Sequence, residues 1–182
     1  MTPGVPAFPP GGVLPDREGL RGAKLALRAA AYHDLPFLRA LYAATRAEEL
    51  ATVPLPDAAK THFLGMQFAL QHHHFLTRHP CADFLIVSRR ERAIGRLYVD
   101  RSSSIWRVLD IAIVPEAQGN GVGTALLSWL QRATQSTRSG GIDLHVLATN
   151  LAAHRLYTRL GFGDAPSMLS THCRMIWPSA VS

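Results

Sequence analysis

Apolar positions along this chain of 182 residues change their spacing in blocks, and each block predicts one element. Residues 25–28 alternate briefly, as a short first strand does. Over 33–50, Leu35, Leu38, Leu41, Tyr42 and Thr45 recur at helical spacing, and this helix is expected to end before Pro54 and Pro56. Asp57 is placed to cap a second helix, its carboxylate accepting free amide hydrogens of the first turn. Phe63, Met66, Leu70 and His74 then continue one helical face toward Pro80. From Ala82 the period falls to two. Residues 84–87, 94–99 and 105–114 read as three strands joined by short polar turns at 88–92 and 100–104, an antiparallel meander. Gly95 inside a strand marks a bulge.

A glycine-rich turn at 119–123 leads into a helix over 122–137, which Ser139-Gly140-Gly141 stops. Residues 142–148 are apolar enough for a buried strand, Asn150 caps a helix over 151–160, and Gly161 ends it in the way a C-terminal glycine does. A last strand is expected over 172–177. Two strands joined by a helix-length crossover run parallel. The expected class is therefore α+β: a mixed, mostly antiparallel sheet with a parallel pair in its middle, flanked by helices. Residues 1–22 hold five prolines (3, 6, 9, 10, 15) and five glycines (4, 11, 12, 19, 22). So dense a mixture predicts a flexible arm over 1–23, ahead of a single domain over 24–182.

Composition narrows the class. With 47% hydrophobic and 18% charged residues, the chain is not mainly disordered. No stretch is apolar for long enough to predict a membrane-spanning helix, and no charged leader precedes an apolar run. Cys81 and Cys173 lack metal-type or redox spacing and read as two buried thiols in a reducing cytoplasm. The net charge of +6 comes from 17 arginines and two lysines spread along the chain. A nucleic-acid protein would concentrate that charge in a stripe with interleaved aromatics. Dispersed as it is, the field suits attraction of an anionic ligand.

Gln118, Gly119, Gly121 and Gly123 lie between a strand end and the first turn of a helix, where successive amides and the helix dipole form an anion site. Three phosphate motifs compete for this segment. The dinucleotide fingerprint needs G-x-G-x-x-G, and an acid at the next strand's end where Thr149 and Asn150 stand; Asp143 has about the right offset but begins that strand. The P-loop needs a lysine that is absent here. The remaining pattern, Q/R-x-x-G-x-G/A, is matched by Gln118-Gly-Asn-Gly121-Val-Gly123. With it the chain resembles the GNAT superfamily of acetyl-coenzyme-A-dependent acetyltransferases over about residues 25–177. A second block, Asn150-Leu-Ala-Ala153-His-Arg-Leu-Tyr157-Thr-Arg-Leu-Gly161-Phe162, is similar to the family's N-x-x-A-x-x-x-Y-x-x-x-G-F helix.

The resemblance implies a metal-free site that takes acetyl-CoA as acyl donor. Ile111, Ala112, Ile113 and Val114 would bond the pantetheine arm through their backbone, like an added strand. Gln118, Gly119, Asn120, Gly121, Val122, Gly123 and Thr124 would hold the diphosphate, with Gln118 replacing the commoner arginine and so lacking its charge. Asn150 and Ala153 would face the arm. Tyr157, two helical turns after Asn150, would protonate the departing thiolate, and an amide near Ile113 would receive the oxyanion. Asp110 is the carboxylate of the strand leading to the cofactor and a candidate base; a surface aspartate or a water-mediated base is an alternative. Glu48, Glu49 and Asp57 lie where related enzymes build the acceptor groove, and they also read as solvated helix ends. Three consecutive residues diverge on a helix, so His72-His73-His74 does not read as a metal site. The acceptor would be a small-molecule or peptide amine, in the cytoplasm. A homodimer is compatible with the sequence, and a non-catalytic acyl-CoA-binding sensor is the alternative to an enzyme.

Overall fold

The computed structural model describes residues 7–9, 17–168 and 170–179. Seven strands, β1 (Leu25–Ala29), β2 (Asp83–Arg89), β3 (Arg92–Asp100), β4 (Ile105–Ile113), β5 (Gly141–Leu147), β6 (Gly163–Ala165) and β7 (His172–Pro178), form one sheet in the order β1-β2-β3-β4-β5-β7-β6. Every pairing is antiparallel except β4 with β5. The mixed sheet with its inner parallel pair agrees with the sequence expectation. Strand β6 was not expected. Its Gly-Asp-Ala has no apolar alternation, and its pairing comes from lying beside β7.

Helices α1 (Leu35–Ala44), α2 (Ala47–Ala51) and α3 (Asp57–Arg78) precede β2; α4 (Val122–Ser136) joins β4 to β5, and α5 (Leu151–Arg159) follows β5. The continuous apolar run of β2 explains the layering. Leu85 and Val87 face one core with Leu126, Leu127, Leu130 and Trp129 of α4, while Phe84 and Ile86 face a second with Leu38 and Tyr42 of α1 and Phe68 and Leu76 of α3. Helices thus cover both faces of the central strands.

Three helical expectations are corrected. The helix expected over 33–50 is split: Tyr32–Asp34 forms a 3₁₀ turn, α1 ends at Ala44, and α2 is separate. At the break, Thr45 Oγ1 donates to the Tyr42 carbonyl at 3.0 Å and the Arg46 guanidinium stacks 3.7 Å from the centre of the Tyr42 ring. Asp57 does not cap α3. Pro56 holds that position, and Asp57 is the first helical residue, favoured there by the helix dipole. On α3 the inward face is Phe68, His72 and Leu76, whereas Phe63, Met66 and Leu70 are exposed. Both stripes have helical spacing and lie about 150° apart, so periodicity alone does not choose between them.

Two bulges interrupt the ladders that flank β3. A register shift opposite Val87 and Ser88 leaves Ile94 unpaired next to Gly95. A Cβ on Gly95 would stand 2.5 Å from the Ala112 carbonyl, so this glycine permits the close approach of β3 to β4. The second shift lies between Tyr98 and Val99, whose partners are Asp110 and Val108, which leaves Leu109 as the extra residue.

The N-terminal expectation also changes. Arg17–Ala23 forms a 3₁₀ helix, and its Leu20 is 1% exposed in the α4-side core. The aromatic ring of Phe8 packs 4.9 Å from His72 and 5.7 Å from Phe84. These parts of 1–23 are therefore built onto the fold; the rest of that segment, 1–6 and 10–16, lies outside the described residues. The thiols are not both buried, since Cys81 is exposed and Cys173 half-buried, and both are free. Among the described residues, no helix is long and apolar enough to cross a membrane. Leu20→Ala is expected to cost about 3 kcal/mol in urea unfolding, the range of a buried leucine truncation, whereas a residue in an unattached arm would cost nothing measurable.

Candidate active site

Strands β4 and β5 begin as parallel neighbours and then part. Their last rung pairs Val108 with Leu144. Beyond it β5 stays bonded to β7 through Leu147, and β4 stays bonded to β3 through Ile113, so their inner edges face a gap. The extra residue Leu109 sits where they part, and a bulge bends a strand at such a point. A cavity of about 860 Å³ occupies the gap and extends over the glycine turn.

The bulge also sets side-chain direction. Asp110 pairs with Tyr98, which belongs to the α1–α3 core, and Leu109 packs against that same core. Two consecutive residues thus point to one face, and Asp110 enters the cavity. The backbone alternates too. Val114 donates its N–H to the Ile94 carbonyl at 2.9 Å, so the Ala112 N–H also turns toward β3, and those of Ile111 and Ile113 turn toward the gap. Ile111 and Ile113 therefore carry the open donors of this strand. Ala112 also lines the cavity, and Val114 is not among the lining residues.

Below the gap, Gly119 (φ 71°) and Gly121 (φ 74°) adopt left-handed backbone, and nothing lies within 4 Å of where a Cβ on either would stand. Gly121 is the N-cap of α4, so the free amides of Val122, Gly123 and Thr124 open into the cavity with the positive end of the helix dipole. A Cβ on Gly123 would approach Leu156 Cδ2 at 3.1 Å, so this glycine lets α4 and α5 pack closely. Gln118 lines the cavity, but its Nε2 donates to the Ile113 carbonyl at 2.9 Å, tying the turn to the strand end. Asn120 is exposed outside the lining, its Nδ2 donating to the Gln118 carbonyl at 3.1 Å.

The opposite wall comes from α5. Asn150 caps it, Oδ1 accepting from the Ala153 amide at 3.0 Å, and Ala153, Leu156, Tyr157 and Arg159 line the cavity. Tyr157 is 6% exposed. Burial, and then the negative charge of Asp110, push its phenol up to about 12. The Asp110 carboxylate is bonded by Nη2 of Arg96, which is 3% exposed and also donates to Gln71 Oε1 of α3 at 2.8 Å. Glu48 and Glu49 of α2 stand on the cavity rim, while Asp57 is not part of it.

Sequence reasoning missed three arginines that line this cavity, Arg46, Arg96 and Arg159. Arg96 had a signal, a charge inside an otherwise apolar strand, and Arg159 lies within the second motif block. Of the histidine triplet, His72 is buried between Phe8 and Phe68, and His73 and His74 are exposed on α3.

The parallel pair thus parts above a glycine turn whose free amides open into one cavity. The model of the Acetyltransferase (GNAT) family matches residues 36–162, and the chain belongs to this family. A mycothiol acetyltransferase from Tsukamurella paurometabola is 30% identical over 95 residues, which are 47% of this chain and 32% of that protein; the chain thus spans about a third of that relative's length. Among solved structures, the paia N-acetyltransferase of Thermoplasma acidophilum in complex with coenzyme A is 14% identical, with TM-score 0.65 over 85% of this chain and 98% of that one. The spermidine N-acetyltransferase of Vibrio cholerae in complex with CoA and spermine is 19% identical, with TM-score 0.61 over 87% and 98%. The ribosomal-protein-S18-alanine N-acetyltransferase of Escherichia coli is also 19% identical, with TM-score 0.58 over 87% and 96%. These likenesses show a shared fold.

Removing the Asp110 carboxylate leaves the Arg96 guanidinium buried without its counter-charge. Asp110→Ala is expected to lose about 3 kcal/mol in chemical unfolding, and an Arg96→Met partner change should restore part of it.

Proposed function

We propose that this chain is an acyl-CoA-dependent N-acyltransferase, moving an acetyl group from acetyl-CoA to the primary amine of a small molecule or peptide by direct attack in a ternary complex. The observation that carries this reading is the meeting, in one cavity, of the open Ile111 and Ile113 amides, the glycine turn and the buried Tyr157 phenol. The residues fit the donor. Unfilled space over Gly119 and Gly121 leaves room for a diphosphate against the α4 amides, and Arg159 supplies the charge that Gln118 lacks. The donor brings an activated thioester, and each other requirement falls to the protein.

An amine of pKa near 10 must reach the thioester carbon without its proton. Glu48 and Glu49 draw the ammonium to the rim, and Asp110 takes its proton through cavity solvent while Arg96 holds the carboxylate in place. The amine nitrogen then bonds to the carbonyl carbon. The Ile113 N–H donates to the carbonyl oxygen as negative charge collects there. As the carbon–sulfur bond breaks, Tyr157 gives its proton to the thiolate, and the surplus proton on the new amide nitrogen passes through cavity solvent to restore the phenol. A phenol held at about 12 stays protonated at neutral pH, as an acid in waiting must.

Acetyl-CoA at about 100 times its Kd should stabilise the protein by about 2.7 kcal/mol and raise Tm by about 5–10 °C, with NAD and ATP giving no comparable shift. Gly121→Val should abolish that shift, because its side chain would enter the open space under the diphosphate. No shift in the folded native protein would overturn the reading; a shift without coenzyme A release on any amine would leave an acyl-CoA-binding module. Tyr157→Phe is expected to lower kcat about 100-fold with an unchanged thermal shift. Its pH–rate profile should also lose the activity the native enzyme keeps up to the alkaline limit of its phenol, and identical profiles would remove Tyr157 as the acid.

A further inference from the structure

Outside the cavity, the C-terminal half of the sheet carries a second chemical feature on its α1–α3 face. Leu147 lines the cavity, and alternation places His145 and Asp143 on the same face of β5. Their rungs bring in His172 opposite Leu147, Arg174 opposite His145, and Arg107 of β4 opposite Asp143. This face is open to solvent here, with Arg107, His145 and Leu147 exposed. The Asp143 carboxylate is 3% exposed and accepts from Arg107 Nη2 at 3.1 Å and from Arg174 Nε at 3.0 Å. Two guanidiniums share one carboxylate, so a positive charge is left over. Each guanidinium has five N–H donors, more than Asp143 can take.

We infer that this strip binds the acceptor, and that the acceptor is an acidic peptide segment with carboxylates two to four residues from its reacting amine. The inference rests on the proposed acetyl transfer and names the substrate class of that site. Charge complementarity supports it. Glu48 and Glu49 suit the ammonium where they line the cavity, and Arg174 and Arg107, on the rungs of His145 and Asp143 along β5 from the lining residue Leu147, suit carboxylates beyond it. Length selects a peptide over a small amino acid. Arg174 lies about 7 Å and Arg107 about 13 Å along β5 from the Leu147 rung, at roughly 3.3 Å per residue. An extended peptide covers that distance in about four residues, at up to roughly 3.5 Å each.

The test uses the native protein loaded with coenzyme A and fluorescent hexapeptides with a free N-terminus and Glu, Gln or Lys at positions three and four. Anisotropy should show the Glu peptide binding about fivefold more tightly than the Gln peptide, the Lys peptide weakest, and the differences closing as salt is raised. Asp143→Asn, which releases both guanidiniums, should tighten the Glu peptide further and leave the Gln peptide unchanged; Arg107→Gln with Arg174→Gln should erase the preference. A merely structural role for the three residues would move both peptides alike. Equal binding of Glu and Gln peptides at low salt overturns the inference, whatever the variants do. Acetyl transfer to peptides without charge preference would overturn it while leaving the proposed function standing. Charge-selective binding with no transfer to any amine would instead defeat the function and keep the strip.

Discussion

The parting of β4 from β5 after a single parallel segment is the constraint on which the site depends. A parallel pair normally continues until a strand ends, because unpaired backbone groups buried between strands cost free energy. Here β5 has β7 on its other side and β4 has β3, so each strand keeps one full ladder while giving up the shared one. The Leu109 bulge bends β4 at the point of parting, and Gly95 lets β3 follow closely. What remains is a slot with backbone donors on one edge, a helix N-terminus at its mouth and α5 across from it.

The same bulge decides the electrostatics. By turning Leu109 and Asp110 to one face, it brings a carboxylate into a cavity whose floor already holds the buried Arg96. The Arg96 guanidinium ties α3 to the sheet through Gln71 and gives Asp110 a fixed partner. Asp110 in turn adds to the effect of burial on Tyr157, keeping that phenol neutral. Asp110 thus connects two other elements, bonded by Arg96 of β3 and acting through its charge on Tyr157 of α5.

Charge differs between the cavity and the sheet face beyond it. Acidic residues of α2 line the cavity, and a shared-carboxylate arginine pair on β4 and β7 lies outside that lining, along β5 from Leu147. The polar rim is built from elements that belong to different layers, so its charge pattern is a property of how the layers meet.

Much of the fold was legible in the sequence because it is written locally. Alternation in 84–114 marks the meander, a helix-length crossover forces β4 and β5 parallel, and Gly121, Asn150 and Gly161 punctuate helices through their own backbone and side-chain chemistry. The glycine turn and the Asn150–Tyr157 spacing pointed, for the same reason, to residues that line one cavity. Tertiary structure alone decided the rest. Two apolar stripes on α3 satisfy one helical period, and only packing selects Phe68 over Met66. The three residues of β6 pair because β7 is there, and Leu20 is buried because α4 covers it. Which face Asp110 takes depends on one unpaired residue, Leu109, whose presence is a matter of register between strands and leaves no trace in the hydrophobic pattern of either. Local periodicity determines which elements form; the register and packing between them determine which side chains meet.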